Sequence, residues 1–192
     1  MAPTQLLSRG ERRRSIVAGA ARAFSTAGFD ATSMDAIAEA AGVTKLILYR
    51  HFESKEELYR SIVEQVSLRL RTEIAAAVEE GRRRRVVVPA FLAVAREDPD
   101  GFRLLWVHAA REPRFAAYSE AVHAASVAFA RRLLGRVVTD PVMLEWASCL
   151  SVDFLVQAVL AWLDQGDPAQ DPRFETATTR SLEALVGTWS EA

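Results

Sequence analysis

Cysteine is almost missing from this chain of 192 residues: Cys149 stands alone, so neither an intramolecular disulfide nor a cysteine-clustered metal site can form. A reduced, cytoplasmic setting is the expectation. Glycine and proline are also scarce, nine and seven, and fall mostly where apolar periodicity stops, so no flexible linker is expected. Sustained two-residue alternation is lacking, which argues against a sheet and leaves an all-α chain. Charge of one sign does not dominate, since the net charge is −1. Residues 1–60 carry nine Lys+Arg against seven Asp+Glu and the rest fifteen against eighteen, so attraction to nucleic acid must come from local placement. Residues 1–14 lack the apolar core of a signal peptide. The longest apolar run, residues 142–163, is interrupted by Glu145, Asp153 and Gln157, which predicts a buried bundle helix and no membrane span.

Catalytic signatures are absent too. There is no glycine-rich phosphate loop and no G-x-S-x-G elbow. Histidine occurs only at positions 51, 108 and 123. His108 and Glu112 lie four apart on a helix, but no nearby third ligand completes a metal site. The expectation is therefore no catalytic residues, no metal, no cofactor and no enzyme.

What is present concentrates in residues 32–52. Thr32 or Ser33 can cap a short helix carrying Met34, Ile37, Ala38 and Ala41 at helical spacing. Gly42 makes a tight turn, and Thr44 caps a second helix expected to run through Phe52. Leu48 and Phe52, four apart, anchor that helix. Leu46 and Arg50 then face furthest outward, with Lys45 and Tyr49 on one flank and Ile47 and His51 on the other. A merely solvated helix rarely exposes two bulky aliphatics. A helix in a DNA major groove uses them against thymine methyls while Arg50 or Lys45 reaches guanine edges.

From Arg14 to Leu58 the chain resembles the DNA-binding domain of the tetracycline-repressor (TetR) family. The resemblance is carried by Ile16, Ala20, Ala21, Phe24, Gly28, Thr32, Ile37, Ala38, Ala41, Gly42, Val43, Leu48, Tyr49, His51, Phe52, Lys55 and Leu58. Leu46 and Ile47 are bulkier than the residues the family often has there. The resemblance implies a helix-turn-helix head, residues 1–53, and a helical tail, residues 54–192, that dimerises through its last two long helices and holds a small effector. It implies a repressor on a palindromic operator, with Thr32, Ser33, Met34, Thr44, Lys45, Leu46, Ile47, Tyr49, Arg50, His51 and Lys55 toward DNA. Lys55 is expected on the DNA backbone.

About nine helices are expected in all. Ser8 and Glu11 form a capping box before a helix over residues 9–27, and Ser54 and Glu57 another before a long fourth helix. Arg12 to Arg14 suit phosphate contact, and Arg82 to Arg85 read as a solvated loop. Further helices are expected over residues 86–96, 99–111 and 113–134, then after Asp140–Pro141 and Asp171–Pro172. The penultimate helix is apolar on nearly every side, so a second copy is its simplest cover. The expected pocket draws on Phe102, Trp106, Tyr118, Trp146, Cys149, Asp153 and Phe154, with Phe91 and Phe129 as further walls and Asp153 either meeting a cationic ligand or paired with Arg103 or Arg131. The competing readings are a helical small-molecule-binding protein or enzyme with a purely structural head, and a protein adaptor.

Overall fold

The computed structural model describes residues 8–79 and 86–190. The basic run at positions 82–85 lies outside the described residues. Helix α1, Arg9–Ala27, opens with the reciprocal Ser8–Glu11 box and buries Ile16, Val17, Ala20, Ala21 and Phe24. Gly28 follows at φ 80°. Helix α2, Met34–Ala40, is capped by Ser33, whose hydroxyl accepts from the Ala36 N–H at 3.1 Å. Thr32 takes another part: it is 3% exposed, and its hydroxyl donates to the Gly28 carbonyl at 2.6 Å.

Gly42 makes the turn at φ 65°, a region that L side chains avoid. Gly19 is needed for a different reason. A Cβ there would stand 2.6 Å from the Ala41 backbone, so α1 and α2 cross at a separation that tolerates no side chain. Helix α3 is shorter than its pattern suggested, Lys45–Tyr49. The Arg50 N–H is shared between the Leu46 and Ile47 carbonyls at 3.2 Å each, which tightens and ends the helix while Leu48 and Phe52 stay buried.

Helix α4, Lys55–Glu79, is a rod of roughly 37 Å. Leu58, Ile62, Val66 and Leu70 bury its inner stripe. Because α1 packs on both α4 and the next-but-one helix, head and tail share one continuous apolar core. Helix α5 is Val87–Glu97 and α6 is Pro99–Arg103. The helix expected over residues 99–111 is continuous, yet it widens into a π turn at Leu104–His108 and narrows to a 3-10 turn at Ala109–Arg111. This winding buries Leu104, Leu105 and Ala109 and leaves Trp106 half-buried beside them. Helix α7, Ala116–Leu134, begins later than expected, because the N–H groups of Phe115 and Ala116 both bond to the Glu112 carbonyl at 2.9 Å and hold Pro113 in a turn.

Asp140 caps α8, Pro141–Gln165, by accepting from two N–H groups, and Pro141 takes the first-turn position. Helix α8 is long and apolar enough to cross a membrane by composition, but it packs against α5, α7 and α9 within the bundle. Helix α9 is Asp171–Ser190. Asp171 is inside its first turn and does not cap it. Its carboxylate takes both the Arg96 guanidinium, at 2.7 and 3.1 Å, and the Trp162 indole N–H at 2.6 Å, tying α5, α8 and α9 at one point.

Arg96 beside Asp171 holds this carboxyl below its ordinary range. The contribution is complete above the unfolded pKa of about 4 and is lost as pH falls through the lowered folded value. Asp171→Ala should lower stability by about 1–3 kcal/mol at neutral pH. The deficit should shrink on acidification below about pH 4, as chemical denaturation at several pH values will show.

Candidate nucleic-acid interface and tail cavity

Helix α3 presents a compact outward face. Leu46 is 63% exposed and Tyr49 46%, with Lys45 and Arg50 exposed around them. Ile47 departs from expectation: next to the buried Leu48, it is drawn half-buried into the edge of the core, as is Met34 on α2. Ser33 and Thr44 are exposed but use their hydroxyls as caps. The Lys45 ammonium rests on Asp35 at 2.8 Å, an exposed pair that water already weakens. His51 is half-buried; burial, then the charges of Arg9, Arg12 and Arg13, lower its pKa, so its imidazole is neutral at pH 7 within a cationic neighbourhood. Arg13 is engaged within the fold, donating to the Ser61 hydroxyl of α4 at 3.0 Å and lying 4.7 Å over the Phe52 ring.

Lys55 and Thr32 are tied to the segment between α1 and α2. The Lys55 ammonium donates to the carbonyls of Phe29 at 2.7 Å and Thr32 at 2.9 Å, and sits 4.4 Å over the Phe29 ring. The Arg114 guanidinium lies 5.0 Å from the same ring and pairs with Asp30 at 2.9 Å. Phe29 also meets Tyr59 and Phe115 edge-on, while Tyr59 stacks on Phe115 with centroids 4.1 Å apart. Head, long helix and tail thus meet at one aromatic joint. Its members Phe29, Asp30 and Arg114 had no sequence signal, because non-periodic contacts between distant segments leave none.

The tail encloses a cavity of about 1360 Å³ walled by α4, α5, α7, α8 and α9. Of the expected pocket residues Trp106 and Tyr118 line it, and so do Phe91 and Phe129. Phe102 is fully buried in the core beside Phe91, and Phe154 is half-buried outside the lining. Trp146 is 61% exposed and leans on Trp189 at 6.0 Å. Cys149 and Asp153 are on the far side of α8, where Asp153 pairs with His123 at 2.8 Å. Neither expected arginine reaches it: Arg103 pairs with Asp164 and Arg131 with Glu145. The four of these on α8, Trp146, Cys149, Asp153 and Phe154, miss the cavity because apolar residues surround that helix on nearly every side, so its periodicity does not mark the inward face.

Two polar atoms in the cavity wall, Trp106 Nε1 and Ser151 Oγ, are buried without a hydrogen-bond partner. Both can donate to an acceptor inside. Arg71, Arg132, Arg136 and Glu183 line the cavity and are exposed, which places a net positive rim at its solvent side.

Residues 16–62 match the sequence model of the bacterial regulatory proteins of the tetR family. The chain is 35% identical over 116 residues to the HTH-type transcriptional activator FasR of Mycolicibacterium smegmatis, covering 58% of this chain and 53% of that protein. It is 41% identical over 49 residues to the HTH-type negative transcriptional regulator IcaR of Staphylococcus epidermidis, 26% of each chain. The chain thus spans about half or less of these relatives' lengths. Its fold is similar to a TetR-like transcriptional regulator from Rhodococcus sp. RHA1, with a TM-score of 0.78 at 23% identity over 94% of this chain and 96% of that one. AibR, solved with isovaleryl coenzyme A and operator DNA, gives 0.68 at 20% identity over 90% and 98%.

The carbonyl contacts of Lys55 give a structural prediction. Lys55→Met should destabilise the DNA-free protein by about 1–3 kcal/mol, because the carbonyls of Phe29 and Thr32 lose a charged donor. Equal melting temperatures for variant and parent would refute that role.

Proposed function

The chain belongs to the tetR family of bacterial regulatory proteins, and from that premise we propose that it is a ligand-responsive transcriptional regulator that binds operator DNA as a homodimer in the cytoplasm. The head, residues 1–53, reads DNA and the tail, residues 54–192, dimerises and binds the effector. The outward face of α3 is the observation that carries the reading. Arg50 and Lys45 suit guanine edges, Leu46 suits thymine methyls, and Tyr49, Ser33 and Thr44 suit phosphate oxygens. The cationic patch of Arg9 and Arg12 beside the neutral His51 favours the adjoining backbone.

Dimerisation is supported by α8. Val142, Trp146 and Leu150 recur every four residues on one side and are 59%, 61% and 41% exposed. A second copy laying its own α8 and α9 across this stripe removes it from water and yields a four-helix seam.

The effector is best described by the cavity. An apolar wall calls for a long or branched hydrocarbon portion, the unpartnered donors of Trp106 and Ser151 call for an internal carbonyl, and the arginine rim calls for an anionic group. An acyl thioester of an anionic carrier has all three, and AibR binds one such molecule. The coupling runs through α7: Tyr118 touches the cavity near one end, and Phe115 and Arg114 touch the head through Phe29 and Asp30. A ligand shifts the head only by its differential affinity for the two arrangements. Operator binding does not encode whether transcription rises or falls, since that depends on where the operator lies.

Arg50→Ala should relax selectivity at one base position by ~1–3 kcal/mol while binding to unrelated duplexes changes little. An equal loss on every sequence removes Arg50 from base reading. Across acyl-coenzyme A probes of increasing chain length, affinity measured by calorimetry should rise with chain length, and Arg132→Ala with Arg136→Ala should weaken binding roughly tenfold. A flat series excludes the acyl assignment.

A further inference from the structure

One polar cluster has no part in the proposed operator or effector sites. On the solvent side of the α7–α8 pair, His123 Nε2 stands 2.8 Å from Asp153 Oδ1, and Cys149 Sγ stands 3.8 Å from Asp153 Oδ2. The three ligand atoms lie within 4.8 Å of one another. Two donors come from α8, one turn apart, and the third reaches across from α7.

We propose that His123, Cys149 and Asp153 form a binding site for a thiophilic divalent cation of the Zn²⁺ class. Sulfur, imidazole nitrogen and carboxylate oxygen are the donors zinc prefers, and metal–ligand bonds of about 2.0–2.3 Å place tetrahedral donors roughly 3.3–3.8 Å apart. The widest pair, within 4.8 Å, therefore needs to close by at most about 1–1.5 Å to hold an ion. Bound as thiolate, carboxylate and neutral imidazole, the donors carry two negative charges and neutralise the cation. The field already present suits it: the carboxylates of Asp153 and Glu145 act on Cys149, and Arg131 is paired with Glu145 at 3.1 Å. Three protein donors leave a fourth position open to water or to the second copy.

An ion here would also act on the cavity. His123 follows the lining residue Val122 on α7, and Asp153 follows the lining residue Val152 on α8. Clamping the two helices from outside fixes two walls of the effector chamber, so metal occupancy becomes a second input to the tail. Chain spacing hides such a site, because its members come from helices 30 residues apart in sequence.

The test uses the full-length protein, reduced and metal-free, titrated with Co²⁺. The expected result is one ion per chain with a sulfur-to-cobalt charge-transfer band, abolished in Cys149→Ser and weakened at least tenfold in His123→Ala. Zn²⁺ should displace the cobalt and raise the melting temperature of the parent but not of Cys149→Ser. Because Cys149 is the sole thiol, absence of the band overturns the proposal. So does a Zn²⁺ stabilisation that Cys149→Ser retains, which would place the ion elsewhere and leave an ordinary His–Asp pair. The melting temperatures of both variants without metal report that they fold, and these readouts are independent of DNA binding.

Discussion

Two cations lie over the Phe29 ring, Lys55 from the long helix and Arg114 from the tail, and the rest of the arrangement depends on that grip. The ring lies just beyond α1, so its position sets where the turn into α2, and hence α3, begins. Lys55 adds hydrogen bonds to the carbonyls on either side of that turn, and Tyr59 and Phe115 close the joint from below. Cations over aromatic faces and edge-on rings prefer particular geometries. A joint built from them has few alternative packings, which is what the proposed coupling through α7 requires.

Much of this was legible along the chain, for local reasons. Capping boxes, the turn glycines and the four-residue anchor pair of α3 are short-range devices, and each formed as its spacing required. The helix count and the outward placement of Leu46, Tyr49 and Arg50 follow from the same periodicity. Ranges failed where distant contacts intervened: the Glu112 carbonyl delays α7, and the Arg50 N–H bifurcates to end α3 early. The carbonyl partners of Lys55, at 29 and 32, become its neighbours only after α1 folds back on α4, so they left no trace in the sequence. Asp153 invited an arginine partner, yet both candidates had nearer carboxylates once the helices packed.

The cavity was the least readable feature. An aromatic on a helix signals burial but not what it is buried against, so Phe102 and Trp106, one turn apart, went to core and cavity respectively. The unpartnered donors of Trp106 and Ser151 are visible only in three dimensions. An unpaired buried donor costs stability that a bound acceptor would restore, so these two atoms support the proposed ligand chamber over a packing defect. Outside the same helices, the exposed stripe of α8 asks for a second copy. Tail cavity, exposed stripe and head joint are thus linked by α7 and α8.

The central claim is that two copies of the α3 face engage DNA together. Selecting bound duplexes from a random pool, at defined moderate salt, tests it most directly. The account predicts inverted half-sites whose centres lie ~34–36 Å apart, or a multiple of that, with affinity falling steeply as salt rises. Enrichment of single half-sites without symmetry, or no enrichment at all at low ionic strength, would contradict it.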